Sequence, residues 1–203
     1  QYVDDNGWLT SGIDANGNTT SYTRDDMGRL TTYAPPTGWT PTTVAYDFST
    51  PITQTIAKGD AETIITYDQM FRPTLVETKD YKANGDGSSF IKTEYNGAGP
   101  AVFTSPPSTN ANNTIGTTTT YDGLGRVTGT SENTTLAPTT TTTYLSNHRI
   151  RTTDPLGNQT TTWFDGYGGP GKGDVLLIEQ PEDVSTQIYR NNWGQIDKVR
   201  QSG

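Results

Sequence analysis

Thr117-Thr118-Thr119-Thr120-Tyr121-Asp122-Gly123-Leu124-Gly125-Arg126-Val127-Thr128 reads as two strands around a turn. Thr and Tyr favour a pleated, half-buried surface. An Asp opening a four-residue turn accepts hydrogen bonds from the turn's own backbone. A Gly three residues later takes the left-handed conformation a bulged hairpin requires. Tyr121 and Val127 are therefore placed on the two arms of one hairpin.

The pattern recurs along the chain. Tyr67-Asp68 keeps its Arg at Arg72, and Arg24-Asp25-Asp26-Met27-Gly28-Arg29 lacks only the Tyr. Weaker copies start at Tyr95, at Tyr144 (with Arg149) and at Phe164 (with Asp165 and Gly168); Val3, Tyr46-Asp47 and Arg190 complete the set. The Tyr-equivalent positions 3, 24, 46, 67, 95, 121, 144, 164 and 190 lie 20 to 28 residues apart. Residues 1–203 are expected to form a single array of about nine repeats, with no separate effector domain. Asp14-Ala15-Asn16-Gly17-Asn18 and Asp154-Pro155-Leu156-Gly157-Asn158 read as turns linking successive hairpins. The expected product is an all-β spiralling sheet of antiparallel hairpins. Stacked copies should seal through a ladder of the recurring tyrosines. Pro35 to Trp39 and Pro100 to Asn113 read as irregular loops.

Composition agrees with a thin β architecture. Leu, Ile, Val and Phe number 33 of 203 residues, while Thr numbers 40 and the aromatics 20. An aliphatic fraction this low would suit a disordered chain, but a net charge of -8 is small for this length and the aromatics are too many. A helical protein or a doubly wound α/β enzyme is not expected. Nucleic acid is not an expected partner, since the pI is near 4.5 and the Lys and Arg residues are scattered. There is no cysteine, so neither thiolate chemistry nor disulfides are available. The longest aliphatic run, Val175 to Ile178, is far too short for a membrane span.

These units, Tyr121-Asp122-Gly123-Leu124-Gly125-Arg126-Val127 above all, together with Asp154-Pro155-Leu156-Gly157-Asn158, resemble the YD repeats of RHS/YD-repeat proteins. That family includes bacterial RHS toxins, the B and C components of Tc toxin complexes, and teneurins. The resemblance implies the wall of a hollow shell, secreted or at the bacterial cell surface, that encloses an effector domain until delivery. It implies an excerpt of a longer protein, a structural rather than enzymatic role, and partners that are adjacent repeats and the enclosed domain. The residues carrying it are Asp25, Gly28, Arg29, Tyr46, Asp47, Tyr67, Asp68, Arg72, Tyr95, Tyr121, Asp122, Gly125, Arg126, Tyr144, Arg149, Asp165 and Gly168. Arg72 and Arg126 are expected to pair with carboxylates or carbonyls of adjacent copies. Tyr121→Ala is expected to cost on the order of 3 kcal/mol.

Candidate chemistry is sparse, and no cofactor, metal or catalytic residue is expected. Gly166 to Lys172 fits Gly-x4-Gly-Lys, but Gly173 stands where a phosphate-binding loop needs Ser or Thr. Family members carry an Asp-Pro-x-Gly self-cleavage signature, yet Asp154-Pro155-Leu156-Gly157 is followed by further copies and reads as a repeat turn. Asn84 to Gly87 fails calcium-loop spacing, with Lys82 at the first ligand position. His148 is the only histidine. The six glutamates supply no glycosidase pair that sequence can place. The alternative reading is a carbohydrate-binding β-array that contacts cell-surface glycans through exposed aromatics, with Trp39 in its Pro/Gly loop as the contact.

Overall fold

The computed structural model describes residues 1–81, 87–134, 136–166 and 173–203. Among them are eighteen strands and no helix, so the all-β expectation holds. The chain divides into two compact units, Gln1–Tyr95 with Thr104–Thr114, and Asn96–Phe103 with Ile115–Gly203.

The first unit is a meander of β1 (Tyr2–Val3), β2 (Leu9–Ile13), β3 (Thr19–Arg24), β4 (Leu30–Ala34), β5 (Thr42–Asp47), β6 (Ile52–Lys58), β7 (Ala61–Tyr67), β8 (Pro73–Asp80) and β9 (Gly87–Tyr95). Each strand pairs antiparallel with the next. The second unit opens with β10 (Ala101–Thr104). It continues through β11 (Thr117–Tyr121), β12 (Val127–Glu132), β13 (Thr139–Leu145), β14 (Arg149–Thr153), β15 (Gln159–Phe164), β16 (Val175–Glu179), β17 (Ser185–Arg190) and β18 (Ile196–Ser202). From β11 onward the same neighbour pairing repeats.

Neither unit has a core of the usual kind. Among the described residues no hydrophobic side chain is buried, and the buried polar side chains are Ser105 and Thr161. The chain exposes 13621 Å². Two separate globules of half its mass would expose about 11,200 Å² together, so the excess belongs to single-layer sheets wetted on both faces. Cross-strand rows replace the core. Ile65, Val76 and Ile91 face one another across β7, β8 and β9, and Thr142, Thr152 and Thr160 do so across β13, β14 and β15. Each such pair contributes roughly 0.2–1 kcal/mol. An aliphatic-poor sequence therefore suffices.

The stretch expected as a loop from Pro100 to Asn113 is partly ordered, because Ala101–Thr104 is a strand. Beyond it, Ser105 and Ser108 dock on β9. Lys92 N–H donates to Ser105 Oγ (2.9 Å), Ser105 N–H donates to Lys92 O (2.9 Å), and Phe90 and Ser108 exchange backbone bonds of 2.7 and 3.0 Å. The edge of β9 has backbone groups that need partners, and this segment satisfies them. Pro35 to Trp39 is irregular as expected, with Trp39 73% exposed.

Candidate functional site

The feature repeated most often is a five-residue turn. At Asp122 the residue's N–H donates to Arg126 O (2.9 Å) and its carbonyl accepts from Gly125 N–H (2.9 Å). Its Oδ1 accepts from the N–H groups of Leu124 and Arg126, each at 2.9 Å. The same backbone bonds and Oδ1 contacts form at Asp4, Asp14, Asp25, Asp68, Asp154 and Asn191. Thus Asp14 and Asp154, read from sequence as linkers of another kind, form the same turn. The fourth residue is Gly125 at φ +75° and Gly157 at φ +88°; in the Asp68 turn Phe71 takes this place at φ +57°.

The fifth residue sets what the turn does next. Where it is Arg, the guanidinium returns to Oδ2 of its own Asp: Nε to Oδ2 is 2.7 Å in Asp25/Arg29, Asp68/Arg72 and Asp122/Arg126. Where it is Asn, Nδ2 donates to Oδ2 at 2.8 Å, in Asp14/Asn18 and Asp154/Asn158. All five carboxyls are held below the ordinary aspartate value. The leading cause is the Arg side chain at Asp25 and Asp122, the Arg72 backbone N–H at Asp68, and the Asn amide at Asp14 and Asp154.

The arginines also reach the next copy. The pairing of β4 with β5, β8 with β9 and β12 with β13 brings the arginine just before one strand to the tyrosine late in the next: Arg29 to Tyr46, Arg72 to Tyr95 and Arg126 to Tyr144. The guanidinium carbons lie 4.7, 4.6 and 4.0 Å from those ring centroids. Arg29 is also 4.5 Å from Phe48, and Arg149 is 4.7 Å from Trp163. Hydroxyls add to the seam: Tyr95 donates to Pro73 O (3.0 Å) and Tyr121 to Ala101 O (2.8 Å). Two expectations are corrected here. The carboxylate partner of Arg72 and Arg126 lies in the same turn, and the adjacent copy contributes a ring. The seam is built from alternating Arg and Tyr, not from stacked tyrosines. Tyrosines two strands apart stand about 10 Å from one another, beyond the roughly 7 Å limit for ring pairs, and the long guanidinium spans that gap.

Two further seam pairs escape the Tyr-based pattern. Arg24 and Arg190 stand where Tyr is usual, and Arg190 reaches Asp174 on the neighbouring copy. Arg24 Nη1 donates to Gly28 O (3.3 Å) and Arg190 Nη1 to Gly194 O (2.8 Å), with Arg190 3.1 Å from Asp174 Oδ1. The Trp8 ring lies so close on Gly28 that a Cβ there would meet it at 2.5 Å. The sequence signal was available: Arg at a Tyr position whose facing residue is aromatic or acidic.

Other residues depart from the shared turn. Asp47 lies within β5 opposite Thr53, and its Oδ1 accepts from Ser49 N–H (2.8 Å). Tyr67 donates to Gln54 Oε1 (2.8 Å). Arg149 donates to Ser146 O (2.9 Å) from a turn with Asn147 and His148 at positive φ. Asp165 N–H donates to Asp174 O (2.9 Å), closing a longer connection; Gly168, the rest of the Gly-x4-Gly-Lys stretch through Lys172, and Asn84 to Asp86 lie outside the described residues. A strand, Val175–Glu179, follows that Gly-rich stretch. Glu62 and Glu77 lie 3.9 and 3.4 Å from Lys79, and Glu179 accepts from Trp163 Nε1. Among the described residues no cluster of ligating side chains could hold a metal ion. Among the described residues no helix is long and apolar enough to cross a membrane, which says nothing of strands.

Residues 3–40 match the family model described as RHS Repeat, in agreement with the resemblance carried by the repeated units. No curated protein matches the chain. Among solved structures, the chain is similar to the crystal structure of TcdB2-TccC3-Cdc42, at 10% identity and TM-score 0.48 over 97% of this chain and 12% of that one. TcdB2-TccC3 is similar at 11% identity and TM-score 0.45, over 98% of this chain and 12% of that one. A porin-like protein from Bacteroides uniformis follows at 13% identity and TM-score 0.27, over 95% of this chain and 87% of that one. The chain thus spans about an eighth of the length of the first two.

Proposed function

We propose that this RHS-repeat chain is a wall segment of an encapsulating shell, a structural module that separates an enclosed effector domain from its surroundings outside the cell. The observation that carries the reading is the single-layer sheet without a buried hydrophobic side chain among the described residues, joined copy to copy by the Arg–Tyr seam. Such a sheet has two wettable faces and a construction that extends by adding hairpins, which suits a partition better than a catalytic interior. Guanidinium contacts to rings tolerate water on both sides, as a wall requires. The natural partners are further repeats and the enclosed domain. The test is electron microscopy of the parent polypeptide. A hollow particle with density inside is expected; a solid globule, or repeats forming an open rod, would overturn the reading.

A second reading, glycan binding, is favoured by the exposure of Trp39. A flat ring that open to solvent is a platform for a sugar face. A glycan array read with the protein and with Trp39→Ala decides it: saturable binding lost in the variant would place recognition of cell-surface sugars on the wall, and no binding would dismiss it.

A further inference from the structure

We propose that Asn96, in the turn that opens the second unit, is a site of spontaneous covalent modification, at which its side-chain amide condenses with the backbone nitrogen of Gly97 and opens to aspartate and isoaspartate. The observation is a difference among the three Asn-Gly dipeptides of the described residues, Asn6-Gly7, Asn16-Gly17 and Asn96-Gly97. All three glycines are exposed. In the first two copies the Asn is third and the Gly fourth in the turn, so Gly7 N–H donates to Asp4 O (2.9 Å) and Gly17 N–H to Asp14 O (3.1 Å). A nitrogen whose proton is held by a carbonyl is a poor nucleophile until that bond opens. Asn96 is instead first in its turn: its N–H donates to Pro100 O (3.0 Å) and its carbonyl accepts from Gly99 N–H (3.2 Å). Gly97 is then second, and among the described residues its N–H meets no backbone acceptor.

The side chain is placed to react. Asn96 Oδ1 accepts from Ala98 N–H (3.0 Å), a local bond that folds the amide carbon back toward the Gly97 nitrogen and polarises its carbonyl for attack. In the Asp122 turn the N–H of the fifth residue also holds Oδ1, but Pro100 has no N–H to offer. Nothing lies within 4 Å of where a Cβ on Gly97 would stand, so the ring has room to close and water to enter. Asn191 holds the same first position, yet Asn192 follows it and its side chain crowds the nitrogen. In the reaction a base takes the Gly97 N–H proton, the nitrogen bonds to the amide carbon of Asn96, and the amide nitrogen leaves as ammonia with a proton from water. Water then opens the cyclic imide at either carbonyl. One opening gives aspartate, and so the Tyr-Asp pair that Tyr67-Asp68 and Tyr121-Asp122 carry; the other gives isoaspartate, with the main chain rerouted through the side chain. Either product adds a negative charge. The inference does not rest on the wall reading.

The test is incubation of the 203-residue chain in mildly alkaline buffer, with peptide mapping by mass spectrometry to follow the amide-to-acid shift at Asn6, Asn16 and Asn96. Asn96 should convert about tenfold faster than the other two, the factor set by opening one turn hydrogen bond. In urea, where the turns are lost, the three rates should converge. Gly97→Ala, at a position without positive φ and with open space around it, should slow conversion of Asn96 severalfold while the chain stays folded. Conversion of Asn6 or Asn16 as fast as Asn96 in the folded chain, the same ranking in urea, or an unchanged Asn96 rate in Gly97→Ala would each overturn the proposal.

Discussion

The turns at Asp122 and Asp154 are nearly superimposable in their hydrogen bonds yet differ in reach. Each carboxylate accepts two backbone N–H groups through Oδ1 and one side-chain donor through Oδ2. Asn158 ends its interactions there, whereas Arg126 continues to the face of Tyr144 in the next copy. The backbone of the turn is thus indifferent to its fifth residue, and that residue alone decides whether the turn is only a corner or also a joint.

Glycine substitutions should separate corner from joint most strongly. Gly28 and Gly157 both have positive φ, but a Cβ at Gly28 meets the Trp8 ring, while at Gly157 nothing lies within 4 Å. Gly157→Ala should cost about 1 kcal/mol from backbone strain alone, and Gly28→Ala about 3 kcal/mol once the clash is added. Urea denaturation of the two variants checks this, and equal costs would mean that the neighbouring ring is free to move aside. Next in size is Tyr144→Ala. Among the described residues no tyrosine ring is fully buried, so about 1.5 kcal/mol is expected from its half-buried area and the lost cation contact; Tyr121→Ala should fall in the same range, about half the figure expected from sequence. A double-mutant cycle of Arg126→Gln with Tyr144→Leu should give a coupling of roughly 0.5–1 kcal/mol. Coupling indistinguishable from zero would mean that the seam is a matter of geometry without energy.

Titration gives the smallest contrast. Asp122 and Asp154 are both held below the aspartate value of 3.8, the first chiefly by the Arg126 side chain and the second chiefly by the Asn158 amide. A depressed folded-state pKa means that the stabilising contribution is complete above the unfolded value and is lost as pH falls through the folded value, below 3.8. Both turns should therefore persist through the usual carboxylate range. High salt should raise the Asp122 midpoint, measured by carboxyl NMR, and leave Asp154 unmoved, because only the first has a charged partner.

Much of the sheet was legible from residues alone. Threonine runs at Thr117–Thr120 and Thr139–Thr143 lie in strands, and Asp with Gly three residues on marks the turn at Asp4, Asp14, Asp25, Asp122 and Asp154. The pattern misled at Tyr46-Asp47, where no Gly follows and Asp47 stays in its strand, and at Pro100 to Asn113, where β9 needed an edge partner. It also hid the partners of Arg72 and Arg126. A guanidinium has many possible acceptors in a Thr- and Asp-rich chain, and the choice among them depends on which strand lies alongside.

Where the chain turns is a local property: the hydrogen bonds that close each corner lie within five residues, so an Asp and a Gly at the right spacing are sufficient to specify it. Which side chains meet across the seam is not local. Arg126 reaches Tyr144, and Ile52 stands opposite Tyr67, because the pairing of neighbouring strands brings them together. A slip of one residue in that pairing would turn every one of these side chains to the other face. Only the folded sheet settles it.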